Sequence, residues 1–139
     1  MEFLVYRSVP RVAPRSSEAR AIVATSVRNN ARDGLTGFLH HEPDLFVQYL
    51  EGPGGPLAQL WARIAADPRH EAPTIIGKGL IAHRFFADWR MGYSHGDVAC
   101  FLDFLGEATG KTLLAQASVR ETIWFLRGAC QRLDLGLVR

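Results

Sequence analysis

Cysteine is scarce in this chain: 139 residues hold two, Cys100 and Cys130, far apart and in helical surroundings. That excludes the dense spacing of a disulfide framework or a zinc site, and it predicts reduced, buried thiols. No uncharged apolar run approaches the length of a membrane span. Charge of one sign is also lacking, because 16 Lys and Arg stand against 14 Asp and Glu for a net +2, with the basic residues scattered. Direct nucleic-acid binding is therefore not expected. Neither Gly-x-Gly-x-x-Gly nor Gly-Lys-Ser/Thr occurs, so a nucleotide would not be held by a phosphate-cradling loop. Repeats and low-complexity segments are missing too. The opening Met1-Glu2-Phe3-Leu4-Val5-Tyr6-Arg7 has an acid where a secretory signal needs basic residues, which leads us to expect a cytoplasmic protein. What is present is 47% apolar and 22% charged residues, the balance of one folded domain that buries about 68% of its unfolded surface.

Phe3 to Ser8 is a short β-prone run, ended by the Pro10 to Pro14 stretch. Ser16 or Ser17 offers an N-cap, Ala19, Ile22, Val23 and Val27 recur at helical spacing, and Gly34 supplies the stop. Leu35 to His41 and Leu45 to Glu51 read as antiparallel strands around the turn Glu42-Pro43-Asp44. After Gly52-Pro53-Gly54-Gly55-Pro56, the positions Leu57, Leu60, Trp61 and Ile64 make an amphipathic helix that ends near Asp67-Pro68. Thr74 to Ile81 and Trp89 to Tyr93 complete the strands, the last placing Trp89, Met91 and Tyr93 on one face. The order β-α-β-β-α-β-β predicts an α+β, ferredoxin-like sheet with two helices on one face. Beyond it, Ala99 to Leu105 reads as a short helix. Ser118 and Glu121 have capping-box spacing before a longer helix, with an apolar stripe of Val119, Ile123, Leu126, Cys130 and Leu133. We expect residues 1–95 to form one domain and 96–139 a C-terminal helical extension that covers the free sheet face. Trp124 and Phe125 widen the stripe beyond one packing surface and suggest self-association. Deleting residues 112–139 is accordingly expected to spare the first domain's chemistry and to change association.

Several polar residues break local rules. Gln48 lies on an apolar strand face in either register, Tyr6 and Ser8 share a face with Leu4, and Ser26 and Asn30 line up with Ile22, with Asn29 beside them. Each has a plain explanation by itself. Asn29 and Asn30 can fray the last helical turn, Tyr6 can turn its hydroxyl to water, and Gln48 can sit at a sheet edge. Together they describe a pocket between the first helix and the sheet, apolar-walled with a few amides and hydroxyls, which is the usual make-up of a cofactor site. His40, His41, His70, His83 and His95 complete no metal ligand set, and solvated or packing histidines are expected.

Five ordered segments carry a resemblance: Leu4-Val5-Tyr6-Arg7-Ser8, Asn30-Ala31-Arg32-Asp33-Gly34-Leu35-Thr36-Gly37, Phe46-Val47-Gln48-Tyr49-Leu50-Glu51-Gly52, Asp67-Pro68-Arg69-His70 and Arg84-Phe85-Phe86-Ala87-Asp88-Trp89-Arg90-Met91. In this the chain resembles the BLUF family, blue-light sensors that use flavin, in its short stand-alone form. The resemblance implies an FAD between the two helices, with FMN or riboflavin as alternatives. It implies photoactive roles for Tyr6 and Gln48, and flavin contacts from Asn30, Asn29 and Ser26. Arg63, Asp67, Arg69 and His70 match the helix-two end near the ring edge or the ribityl-phosphate side, and Trp89 with Met91 match a signalling pair. The His40-His41-Glu42-Pro43 loop is less typical of the family. No substrate turnover is implied; the expected partners are the flavin, a downstream signalling protein and a second copy of the chain, with no membrane.

The residue types suit that chemistry. A primary amide such as Asn30 presents one acceptor and two donors, matching the alternating pattern of a flavin's pyrimidine edge. Rotating or tautomerising the Gln48 amide exchanges donor and acceptor ends at almost constant volume. Tyr6 is a phenol able to give up an electron and then a proton. The rival readings are an acylphosphatase-like enzyme and a cofactor-free interaction module on a ferredoxin-like fold.

Overall fold

Leu4, Tyr6 and Ser8 alternate with Phe3 and Val5 along the first strand; all are buried except the half-buried Phe3, which takes a sheet covered on both faces. The computed structural model, which describes residues 1–134, has that form; residues 135–139 of the expected extension lie outside the described residues. Its elements are β1 (Glu2–Pro10), α1 (Ser17–Asp33), β2 (Thr36–Glu42), β3 (Leu45–Gly52), α2 (Gly54–Ala65), β4 (His70–Leu80), β5 (Gly92–His95), α3 (Phe101–Thr109), a 3-10 turn at Leu114–Gln116, and α4 (Val119–Asp134). The sheet runs β4-β1-β3-β2-β5. β5 pairs with β2 in parallel and every other pairing is antiparallel. The ferredoxin-like order with α1 and α2 on one face is therefore present.

β3 lies at the centre of the sheet and is buried along its whole length. Its Phe46 and Leu50 join Leu4, Tyr6, Leu39 and Leu57 under α1 and α2. Its Val47 and Tyr49 join Val5 and Phe38 under α3 and α4, with Phe101, Leu105, Phe125 and Leu126. Local chemistry fixes the helix ends. Ser16 accepts the Ala19 N–H at 3.1 Å, and Gly34 at φ 73° closes α1 in a left-handed cap that a side chain would strain. Ser118 and Glu121 cap each other's backbone N–H reciprocally at 2.9 and 3.1 Å, as their spacing predicts.

Four expectations need correction. The first strand runs on to Pro10 and β4 starts at His70 rather than Thr74, because Pro10 and His70 pair across a ladder that absorbs irregularities near Val5 and Ser8. Val27 is not part of α1's buried stripe; it is 39% exposed while Asn30 is buried, since α1 faces a cavity rather than a solid core. The α4 stripe is turned by one residue, burying Thr122, Phe125 and Ala129 with Leu126 and Cys130. Finally, the last strand begins at Gly92, so Trp89 and Met91 precede it and do not share a face. The segment before β5 is shaped by the buried Glu51 carboxylate, which accepts the Phe85 and Phe86 N–H groups at 2.7 and 2.8 Å and the Thr36 hydroxyl at 2.9 Å. That turn sends Trp89 against Phe38 beneath α3 and α4, while Met91 packs on the opposite face.

Candidate functional site

Tyr6 and Gln48 are direct partners in the β1–β3 pairing, so their side chains stand side by side on the α1/α2 face. The Tyr6 hydroxyl donates to Gln48 Oε1 at 2.5 Å, and Gln48 Nε2 donates to Met91 Sδ at 3.3 Å. Gln48 is not at a sheet edge, and both ends of its amide have partners. The three side chains open onto a cavity of about 310 Å³ between α1, α2 and the sheet, a volume at the small end of ligand pockets. Ile22, Leu39, Phe46, Leu60 and Ile64 make its apolar wall. Ser26, Asn29, Asn30, Arg63, Asp67, Arg69 and His70 supply the polar groups, so every expected flavin-contacting residue lines this one space.

Asn30 is buried and donates Nδ2 to the Arg90 carbonyl at 2.6 Å, while its Oδ1 has no partner among the described residues. It does not fray the helix. Ser26 returns its hydroxyl to the Ile22 carbonyl at 2.8 Å. At the mouth, Arg69 grips Asp67 at 2.6 Å, and this hydrogen bond holds the Asp67 carboxyl below its ordinary value. Arg63 lies 3.9 Å from Asp33. Burial, with Asp67 adding to it, pushes the Tyr6 phenol well above its usual value, so it stays protonated and remains a donor. Trp61 packs its ring 5.2 Å from Tyr6.

Thr25, to which no sequence feature points, also lines the cavity, and the apolar wall expected of the pocket is made by residues whose only signal is ordinary helical and strand periodicity. Trp89 lies outside the cavity. The histidines are not solvated as a group, since only His83 is exposed. His70 bridges the Ser8 hydroxyl and the Ile64 carbonyl, each at 2.6 Å. His40 lies between Ser94 and Glu42, at 2.7 and 2.9 Å, which places a serine, a histidine and a carboxylate in line. Ser94 and His40 have no exposed surface, so no substrate reaches that hydroxyl. No cluster able to hold a metal ion occurs among the described residues. No helix among them is long and apolar enough to cross a membrane.

Comparison with known proteins agrees with this geometry. A sequence model described as BLUF, sensors of blue-light using FAD, matches residues 1–92. The photoactivated adenylate cyclase subunit beta of Euglena gracilis is 39% identical over 84 residues, covering 60% of this chain and 10% of the relative. The chain thus spans about a tenth of the length of that curated relative. Among solved structures, the dark state of the BLUF protein BlrB superposes with a TM-score of 0.72 at 29% identity, covering 93% of both chains. Klebsiella pneumoniae BlrP1, solved with FMN and cyclic diGMP, gives 0.62 at 29% identity over 68% of this chain and 25% of that one. A sheet with a Tyr–Gln pair facing a cavity under two helices is the form of a blue-light sensor domain, the class that the sequence model describes. The chain belongs to the BLUF family.

Proposed function

We propose that the cavity holds FAD between α1 and α2 and that Tyr6 and Gln48 are its photoactive pair. The observation that carries the reading is the hydrogen-bonded line from Tyr6 through Gln48 to Met91 along the cavity wall. The residues present suit a flavin. Asn29 and Asn30 offer amides to the polar edge of a ring system, Ile22, Leu39 and Ile64 offer apolar contact, and Arg63 and Arg69 offer guanidinium groups at the mouth for a phosphate. Bound there, the flavin supplies blue-light absorption and a strong oxidant when excited. With it bound, the Tyr6 hydroxyl, held against Gln48 Oε1, would be the donor of an electron to the excited flavin and of a proton toward Gln48, and both would return to Tyr6. The Gln48 amide, which holds Tyr6 at one end and Met91 at the other, would be the group that rearranges, releasing Met91. Thermal return of the amide restores the dark arrangement.

FAD is preferred over FMN because two arginines at the mouth suit a longer phosphate chain; the FMN of BlrP1 keeps the shorter cofactor as the alternative. Residues 1–95 act as the sensor and 96–139 as the packing and output extension. The signal passes to a downstream protein or through self-association. The Euglena relative, a photoactivated adenylate cyclase subunit, gives an example of a matching segment within an enzyme complex. The test is an absorption spectrum of the purified protein before and after blue light, with mass spectrometry of the released chromophore. A yellow protein with a reversible red shift is expected. A colourless protein that stays so after incubation with FAD or FMN would favour a cofactor-free interaction module instead.

A further inference from the structure

The His40-His41-Glu42-Pro43 segment sits where the sheet meets α3. Among its residues, Glu42 does something no residue of α3 does for itself. The N-cap of α3 is Cys100, whose side chain makes no capping hydrogen bond. Glu42 Oε2, reaching across from β2, accepts the Phe101 N–H at 3.0 Å. Burial raises the Glu42 carboxyl, but hydrogen bonds from His40 and the Phe101 N–H outweigh it and hold the group below its ordinary value. It is therefore an anion at a helix N-terminus, where the backbone dipoles favour one. Because ionised Glu42 is acceptor-only, His40 Nε2 must carry the proton of their 2.9 Å contact, and Nδ1 shares a hydrogen bond with the Ser94 hydroxyl at 2.7 Å. The His40 ring also meets Phe125 of α4 edge-on at 4.8 Å, and Phe125 stacks on Phe101 at 4.6 Å.

The other end of this line lies at the cavity. Met91 accepts from Gln48, and Gly92, one residue on, opens β5. β5 is a four-residue edge strand bonded to β2 alone, in the register Phe38↔Gly92 to His41↔His95. It has fewer ladder bonds to break than any other strand of the sheet, so a change in Met91's contacts is most easily absorbed by β5 moving against β2. Such a movement must stretch the side-chain bond from Ser94 to His40, across paired residues, together with that from Tyr93 to His41.

We infer that Ser94, His40 and Glu42 transmit the photoactive change through the sheet, from Met91 on the cavity face to the N-terminus of α3 on the other. This rests on the proposed function, and its physical content is one contiguous bonded line between two sites. The three are positioning residues: none touches the cavity. In the dark the line caps α3. When Gln48 releases Met91, Ser94 shifts, His40 turns, and the cap on Phe101 weakens.

The test is amide hydrogen exchange of the flavin-loaded full chain, in darkness and under steady blue light, for the wild type and for Ser94→Ala. The red shift is recorded on the same samples. In the wild type, exchange in the first turn of α3 should rise several-fold on illumination, the size expected for loss of one hydrogen bond. In Ser94→Ala the red shift should persist while the light-dependent rise disappears. Glu42→Gln, which cuts the line at its far end, should behave alike and serves if Ser94→Ala does not fold. A merely structural role would alter dark exchange and leave the light-minus-dark difference in place, which would overturn the inference. So would a wild type with a red shift but no response in α3, or a Ser94→Ala protein that loses the red shift itself. A wild type with bound flavin but no red shift would instead overturn the proposed function on which this inference stands.

Discussion

Gln48 is the residue on which the photochemical reading turns, because among the described residues it alone hydrogen-bonds both Tyr6 and Met91. Gln48→Leu nearly preserves volume and removes donor and acceptor together. Its flavin should remain bound while the light-induced shift vanishes; difference spectroscopy of the variant checks this, and a wild-type shift would move the switch elsewhere. His41 makes a prediction about pH. It is wholly buried, with its ring between the Tyr93 hydroxyl at 2.9 Å and the Val12 carbonyl at 3.0 Å. Burial is the main cause that lowers it to about 4, and His40 and His95 add to the effect. Between the unfolded value, about 6.5, and about 4 the unfolded chain binds the proton and the folded one does not, so stability rises with pH there. His41's contribution is full above that window and is lost as pH falls through it, by about 3 kcal/mol. Urea titrations from pH 4 to 7 should show that slope, and it should flatten in His41→Gln. An unchanged slope would mean that the ring accepts a proton without unfolding.

At the scale of elements, the burial of α1, like that of α2, is unfinished. Of its 17 residues only Ala19 and Asn30 are buried, while Ile22, Ser26 and Asn29 face the cavity. A ring system in that space would complete the helix's contact with the sheet. Removing the flavin should therefore speed amide exchange in α1 more than in the central strand β3. Asn30→Ala should lower flavin occupancy, since an unpaired polar edge costs about 1–3 kcal/mol; equal occupancy in the two proteins would send Asn30's amide elsewhere. The same helix explains what was legible in the sequence. Its ends were readable because Ser16 and Gly34 act locally, and Gln48, Tyr6 and Asn30 stood out because they broke an apolar pattern. Its inner face was misread at Val27 because periodicity locates a core but not a cavity within one. Trp89 and Met91 were placed on one strand face for a similar reason: alternation cannot register a turn imposed from Glu51, a residue far away in sequence that holds the Phe85 and Phe86 amides. The start of β4 is hidden from periodicity because its first residues pair through an irregular ladder with Ala72 at φ 54° and Pro73 beside it.

The molecule as a whole is one sheet between two apolar layers, and this changes what the C-terminal helix can be asked to reveal. Phe125, Leu126, Ala129 and Cys130 of α4 complete the layer that holds Val5, Phe38, Val47 and Tyr49 of the sheet. Deleting residues 112–139 would uncover that layer, so the truncated chain is expected to lose fold along with any association, contrary to what the sequence suggested. Single substitutions separate the two roles. Phe125 is 3% exposed and stacks on Phe101, so Phe125→Ala should cost about 3–5 kcal/mol in urea unfolding. Trp124, next to it, is 59% exposed and touches Phe104 edge-on, so Trp124→Ala should cost no more than about 1.5 kcal/mol, the size of one aromatic pair. If Trp124 forms part of a surface between copies of the chain, light scattering of Trp124→Ala should give a lower mass than wild type at equal concentration, with flavin spectra unchanged. Equal masses in darkness and under blue light would leave Trp124 as a solvent-facing neighbour of the core. A cost for Trp124→Ala matching that of Phe125→Ala would place it inside the layer.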